Sequence, residues 1–308
     1  MSSKPDLRTT LGPLELKNPV MTASGTFGYG SEYKSIMDPG LLGAIIVKGL
    51  SLKPMAGNPP PRIVETPGGM LNAIGLANIG IEEFLKTKLP WLRNLDTHVI
   101  VNIYGHSINE YSELAGVLKG VDGVSAVEVN ISCPNVDEGG LVFGKNPEIS
   151  GQVTEAVIRN TDKPVIVKLT PNVTDITVLA KAVERAGATC LSLINTLTGM
   201  AIDIDTRLPK LANITGGLSG PAIRPVAIHM VYQAAQAVKI PVIGIGGIMN
   251  YRDAIEFMIA GASAVQVGTA NFINPRTSLD IIQDIEKYCL ENGIDKITDI
   301  IGSMKSYR

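Results

Sequence analysis

The sequence is poor in cysteine, with three in 308 residues: Cys133, Cys190 and Cys289. No CxxC pair occurs, which argues against a zinc ribbon or a chain-borne iron–sulfur cluster, and an odd, sparse count argues against a disulfide scaffold. A basic surplus is missing too. Lys and Arg total 27 against 29 Asp and Glu, a formal net charge of −2, whereas nucleic-acid binding normally leaves a basic excess or stripe. No apolar run approaches the roughly 20 residues that span a bilayer. The opening Met1-Ser-Ser-Lys-Pro-Asp6 has no apolar core of a secretory signal. The expectation is a cytoplasmic protein with no nucleic-acid or membrane partner. His98, His106 and His229 are scattered, without an HExxH pair, so no metal site is expected. Neither a G-x-S-x-G elbow nor a P-loop is present. Aromatic residues make up only 5% and charged ones 18%, but hydrophobic residues reach 45%, which excludes disorder.

What the chain does have is 32 glycines, 19 prolines and a recurrent set of short Val/Ile-rich runs. These are Pro19–Ala23, Ala44–Val47, Val99–Val101, Ala126–Val129, Val165–Val167, Leu191–Ile194, Val242–Ile245 and Ala264–Val267. They are apolar nearly throughout rather than alternating, the pattern of strands buried on both faces of a parallel sheet. Amphipathic stretches of helical length separate most of them: Ile81–Leu95, Ile108–Leu118, Pro147–Arg159, Val173–Ala186, Ile223–Val238, Tyr251–Ala260 and Leu279–Glu291. Eight buried strands alternating with helices predict an α/β fold, a (β/α)8 TIM barrel formed by residues 1–308 as one domain. A doubly wound sheet is the runner-up, but its G-x-G-x-x-G turn is missing after the first strand, which runs into Ser24-Gly-Thr-Phe-Gly28. Arg8–Lys17, centred on Gly12-Pro13, reads as an N-terminal hairpin closing one end. Leu50–Thr97 and Thr196–Ser219 are too long for simple connections. Both follow strand C-termini, so they read as insertions over the barrel mouth.

The active site of such a barrel lies at the C-terminal strand ends. The residues that close the eight runs are Ser24, Lys48, Asn102, Asn130, Lys168, Asn195, Gly246-Gly247 and Gly268-Thr269. Core packing has no use for lysine or asparagine there, because burying them unpaired is costly. The two glycine turns follow strands seven and eight, where barrels commonly bind phosphate through bare backbone N–H groups. Cys133 lies just beyond strand four in Asn130-Ile-Ser-Cys-Pro-Asn135, and so at the mouth. Cys190 and Cys289 fit the small buried hydrophobe role instead. One reading of these residues is a phosphate-binding barrel isomerase or aldolase with Lys48 or Lys168 as Schiff-base nucleophile. It has no need of Cys133 or of the asparagines.

Several segments together resemble the dihydroorotate dehydrogenase family. Asn130-Ile-Ser-Cys-Pro-Asn135 is similar to its base loop, Asn72-Ala-Ile-Gly-Leu-Ala-Asn78 to its substrate loop and Gly217-Leu-Ser-Gly-Pro-Ala222 to its flavin loop. Val47-Lys-Gly49, Val167-Lys-Leu169, Gly244-Ile-Gly-Gly247 and Val267-Gly-Thr269 match in order along nearly the whole chain. The resemblance implies an FMN enzyme that oxidises dihydroorotate to orotate in pyrimidine (UMP) synthesis. Cys133 is implied as the base of a class 1 member, with Lys48 beside it in the chemistry. Ser24, Lys48, Gly49, Asn102, Asn130, Lys168, Ile194, Gly220, Gly246, Gly247, Gly268 and Thr269 are implied to hold FMN. Lys48, Asn72, Ala73, Ile74, Gly75, Leu76, Asn130, Asn195 and Thr196 are implied to hold the substrate. The stretch Gly57–Asn72 is most similar to the NAD-linked type B catalytic subunit, with the fumarate-linked type A form as the alternative. Type B implies a partner subunit carrying FAD and a [2Fe–2S] cluster, in a heterotetramer of two catalytic and two partner chains.

Overall fold

The computed structural model describes residues 4–132 and 143–307. Eight strands run parallel: β1 (Val20–Thr22), β2 (Ala44–Ile46), β3 (His98–Ile103), β4 (Ala126–Asn130), β5 (Val165–Lys168), β6 (Cys190–Leu193), β7 (Val242–Ile245) and β8 (Ala264–Val267). Each pairs with its neighbour in chain order, and β8 returns to β1, so the sheet closes into a (β/α)8 barrel. Closure removes the doubly wound alternative. Apart from His98 at its start, every residue of these strands is buried. Burial on both faces is the physical reason the runs carry no alternation.

The hairpin forms as expected, Thr9–Leu11 against Leu14–Leu16, with Gly12 at φ 60° in its turn. Leu11 and Leu16 are fully buried against Met21, Ala44, Ile100, Ile166, Cys190 and Ile243 inside the barrel. The hairpin therefore plugs the N-terminal end, and replacing Leu16 by Ala costs about 2–5 kcal/mol by the usual cavity rule.

Helices fill the outer ring. Ile108–Val117, Pro147–Asn160, Ile176–Arg185 and Tyr251–Ile259 each start on a side-chain cap, from Ser107, Asn146, Asp175 and Asn250 respectively. Asp175 is also why the Ile176–Arg185 helix starts later than the apolar pattern beginning at Val173: its carboxylate accepts from Thr177 N–H at 2.9 Å. The expected single helix Ile81–Leu95 is instead two, Ile81–Thr87 and Leu89–Leu92. Pro90 has no N–H to continue the first helix and suits the first turn of a second.

The two long insertions do more than cover the mouth. Ile63–Thr66, Gly69–Asn72, Leu197–Met200 and Thr215–Ser219 form one antiparallel four-stranded sheet, in which Gly217 pairs with Asn72 and Ser219 with Met70. Gly216 allows this approach, since a Cβ there would lie 2.7 Å from the Asn72 carbonyl oxygen. Among the described residues no helix is long and apolar enough to cross a membrane.

Candidate active site

Between the barrel mouth and the insertion sheet lies a cavity of about 500 Å³. Every site residue named from the sequence lines it except Cys133, which lies outside the described residues. The barrel places their side chains there for one reason. Residues two apart on a strand share a face, so inward-facing positions end at the mouth in Lys48, Asn102, Asn130 and Lys168.

Lys168 is 4% exposed, with its ammonium 3.3 Å from Ser24 Oγ. Lys48 is half-buried; burial, followed by the nearby Arg62 charge, lowers its pKa from the ordinary lysine value, against a smaller opposing pull from Glu32. Two cations over one covered cavity favour an anionic ligand. Asn130 Oδ1 accepts from the Ser132 hydroxyl at 2.7 Å, and that hydroxyl in turn accepts from Asn195 Nδ2. Asn195 Oδ1 accepts from Thr196 N–H at 2.8 Å, and Asn72 donates to the Gly217 carbonyl at 3.3 Å. These bonds hold the amide side chains in place around the cavity.

The turns after β7 and β8 meet the end of the insertion sheet. Thr269 donates to Ser219 Oγ at 2.8 Å, and a Cβ on Gly247 would lie 2.9 Å from the Gly220 carbonyl oxygen. Gly247 has φ 73°, a left-handed conformation that glycine adopts without penalty. Among the described residues, none of the N–H groups of Gly246, Gly247, Gly268 and Thr269 is given to a backbone carbonyl. Four bare N–H groups in one corner are the donor set a phosphate needs. On the cavity floor, Asn102 Oδ1 is buried without a hydrogen-bond partner. Bare donors at one corner and a lone acceptor on the floor fit a phosphorylated ligand with an N–H-bearing ring, as FMN is.

Sequence reasoning missed Glu128, which stands in the middle of β4 and is wholly buried. The available signal is a carboxylate inside an otherwise apolar run. It also missed Lys145 and Phe272 on the cavity wall; neither stands at a strand end. Cys190 is inside the barrel, with its thiol pushed up to about 12 by burial, and burial raises the Cys289 thiol as well. Both are poor nucleophiles. No group of three or more His, Cys, Asp or Glu is placed to hold a metal among the described residues.

Fold and site together define a barrel enzyme with a covered, cationic, amide-lined pocket and a bare-backbone phosphate corner. The family model for dihydroorotate dehydrogenase matches residues 6–289. The chain is 59% identical over 302 residues to the "Dihydroorotate dehydrogenase B (NAD(+)), catalytic subunit" of Citrifermentans bemidjiense, covering 98% of this chain and 99% of the relative. The like-named subunit of Geobacter sulfurreducens is similar to the same degree, 59% over 302 residues with the same coverage. That of Geotalea uraniireducens is 60% identical over 301 residues, again with 98% and 99% covered. The chain belongs to the dihydroorotate dehydrogenase family and is an oxidoreductase.

Proposed function

We propose that this chain, as one FMN-binding barrel domain over residues 1–308, oxidises dihydroorotate to orotate in UMP synthesis and passes the electrons to NAD⁺ through a partner subunit. One observation carries the reading. Every residue that the family resemblance assigns to flavin or substrate, Cys133 aside, lines a single cavity.

When bound, FMN supplies the acceptor for the hydride that leaves C6 of dihydroorotate. Gly246, Gly247, Gly268 and Thr269 hold its phosphate, with Ser24, Gly49, Asn102, Ile194 and Gly220 along its length. Cys133 takes the proton from C5. A free thiol has a pKa of about 8.5 and is largely protonated at neutral pH, so the site must either lower that value or accept a rate that climbs with pH. Lys168 offsets the negative charge that the reaction delivers to its side of the cavity, where water is largely excluded. Lys48 binds the substrate carboxylate, while Asn72, Asn130, Asn195 and Thr196 pair with its amides.

Delivery to NAD⁺ needs a dinucleotide site and an electron relay. The chain has no G-x-G-x-x-G after a strand, and three dispersed cysteines cannot provide the four ligands of a [2Fe–2S] cluster. The FAD and cluster therefore belong to the partner, in an assembly of two catalytic and two partner chains.

The test uses the purified chain. It is expected to be yellow, to release FMN on heating, and to reduce dyes with dihydroorotate while forming little NADH until the partner is added. A colourless protein that takes up no FMN overturns the cofactor. Efficient NADH formation by the chain alone overturns the two-subunit reading, and rapid turnover with fumarate moves it to type A.

A further inference from the structure

Glu128 faces the barrel interior from β4, between the hairpin plug and the cavity. Its Oε1 accepts from Ser192 Oγ at 2.8 Å and Gln266 Nε2 at 2.7 Å, and its Oε2 accepts from Asn102 Nδ2 at 2.6 Å. The donors come from β6, β8 and β3. Burying a carboxylate is costly, and apolar side chains of similar volume often serve stability as well or better. Packing alone does not account for an acid at this position.

An ionised carboxylate only accepts hydrogen bonds. That decides which end of the Asn102 amide faces Glu128: the NH2 group does, and the carbonyl Oδ1 is turned away. Oδ1 is one of two buried side-chain oxygens without a partner among the described residues; the other, Gln266 Oε1, does not belong to a cavity-lining residue. Asn102 Oδ1 lies beside Gly49, where an added Cβ would come within 2.8 Å of it, and both residues line the cavity. An uncommitted amide can turn over and offer either end to a ligand; this one cannot.

We propose that Glu128 is a positioning residue: by engaging the NH2 group of Asn102, it presents Oδ1 to the cavity as a fixed acceptor for an N–H of the flavin ring. The proposal rests on the FMN reading above. An acceptor set in advance costs no reorientation when the cofactor binds. Glu128 itself touches neither cofactor nor substrate in this role.

Glu128→Gln tests it, because the side chain keeps its shape while one acceptor oxygen becomes an NH2 donor. With the glutamine oxygen left facing Ser192 and Gln266, its NH2 meets Asn102. The Asn102 amide then turns over to accept and points a donor at the cavity. Titration of apoprotein with FMN, followed by flavin fluorescence, should show affinity weakened by roughly 10- to 100-fold. In the double variant Glu128→Gln/Asn102→Asp, one Asp oxygen accepts from the glutamine and the other faces the cavity. Affinity should then recover to within about 3-fold of native. A Glu128 that only packs the barrel gives no such rescue.

Native protein that takes up no FMN removes the cofactor reading and this inference with it. Native protein that binds FMN beside a Glu128→Gln variant of equal affinity overturns only the role of Glu128. If the single variant does not fold, the double variant decides, since in it the amide at position 128 again meets a complementary group at position 102. FMN binding near native supports the proposal, and failure to fold or to bind overturns it.

Discussion

Asn195 donates its side-chain amide to the Ser132 hydroxyl at 2.5 Å, across 63 positions of sequence. Ser132 passes a hydrogen bond on to Asn130 Oδ1 and stands immediately before Cys133. One hydroxyl therefore orients two proposed substrate amides beside the proposed base. Ser132→Ala removes that link while the backbone bond from Ser132 N–H to Asn130 remains, at 3.2 Å. With a neutral hydrogen bond worth about 1 kcal/mol, kcat/KM for dihydroorotate should fall by roughly 5- to 20-fold, with FMN retained. Steady-state kinetics on the variant check this, and an unchanged kcat/KM refutes it.

Cys133→Ala is expected to slow reduction of the enzyme by dihydroorotate by about 10²- to 10⁴-fold, the usual worth of a general base. Orotate binding should largely survive, because the amides and Lys48 remain. Anaerobic stopped-flow absorbance measures the rate directly. A near-native rate assigns the base elsewhere.

Lys168→Met tests the cation at the end of β5. Its ammonium is buried beside Ser24, and charge acts strongly where water is excluded. The variant is expected either to lose FMN or to hold it at a lower reduction potential. Spectroscopic titration with a reference dye decides, and retained FMN at an unchanged potential places the role on another residue.

Lys48 sets a pH dependence. Burial, with the Arg62 charge second, lowers its pKa from 10.5, so its charge is lost at a lower pH than for an ordinary lysine. The kcat/KM profile should rise as Cys133 ionises, then fall on an alkaline limb that begins below 10.5. Lys48→Met should raise KM and abolish that alkaline limb while the rising limb stays. Folding responds with the opposite sign. The unfolded lysine holds its proton more tightly than the folded one, so this group's contribution to stability increases as pH rises between the two pKa values. Denaturant melts across that range check it.

The barrel strands and the residues at their mouths were determined by local chemistry. A strand buried on both faces must be apolar along its length, and a polar residue that closes it has a place only at the rim, so Lys48, Asn102, Asn130 and Lys168 were legible one strand at a time. The hairpin was legible from Gly12-Pro13 for the same local reason. What sits opposite each residue was decided only by closure of the barrel. The insertion sheet joins Asn72 to Gly217, 145 positions apart, and antiparallel pairing over that distance leaves no local pattern to read. Glu128 stands out in β4 as a lone acid, but its partners lie 26, 64 and 138 positions away on three other strands. A hydrogen bond depends on where two groups meet in space, and the order of residues along one strand does not carry that information.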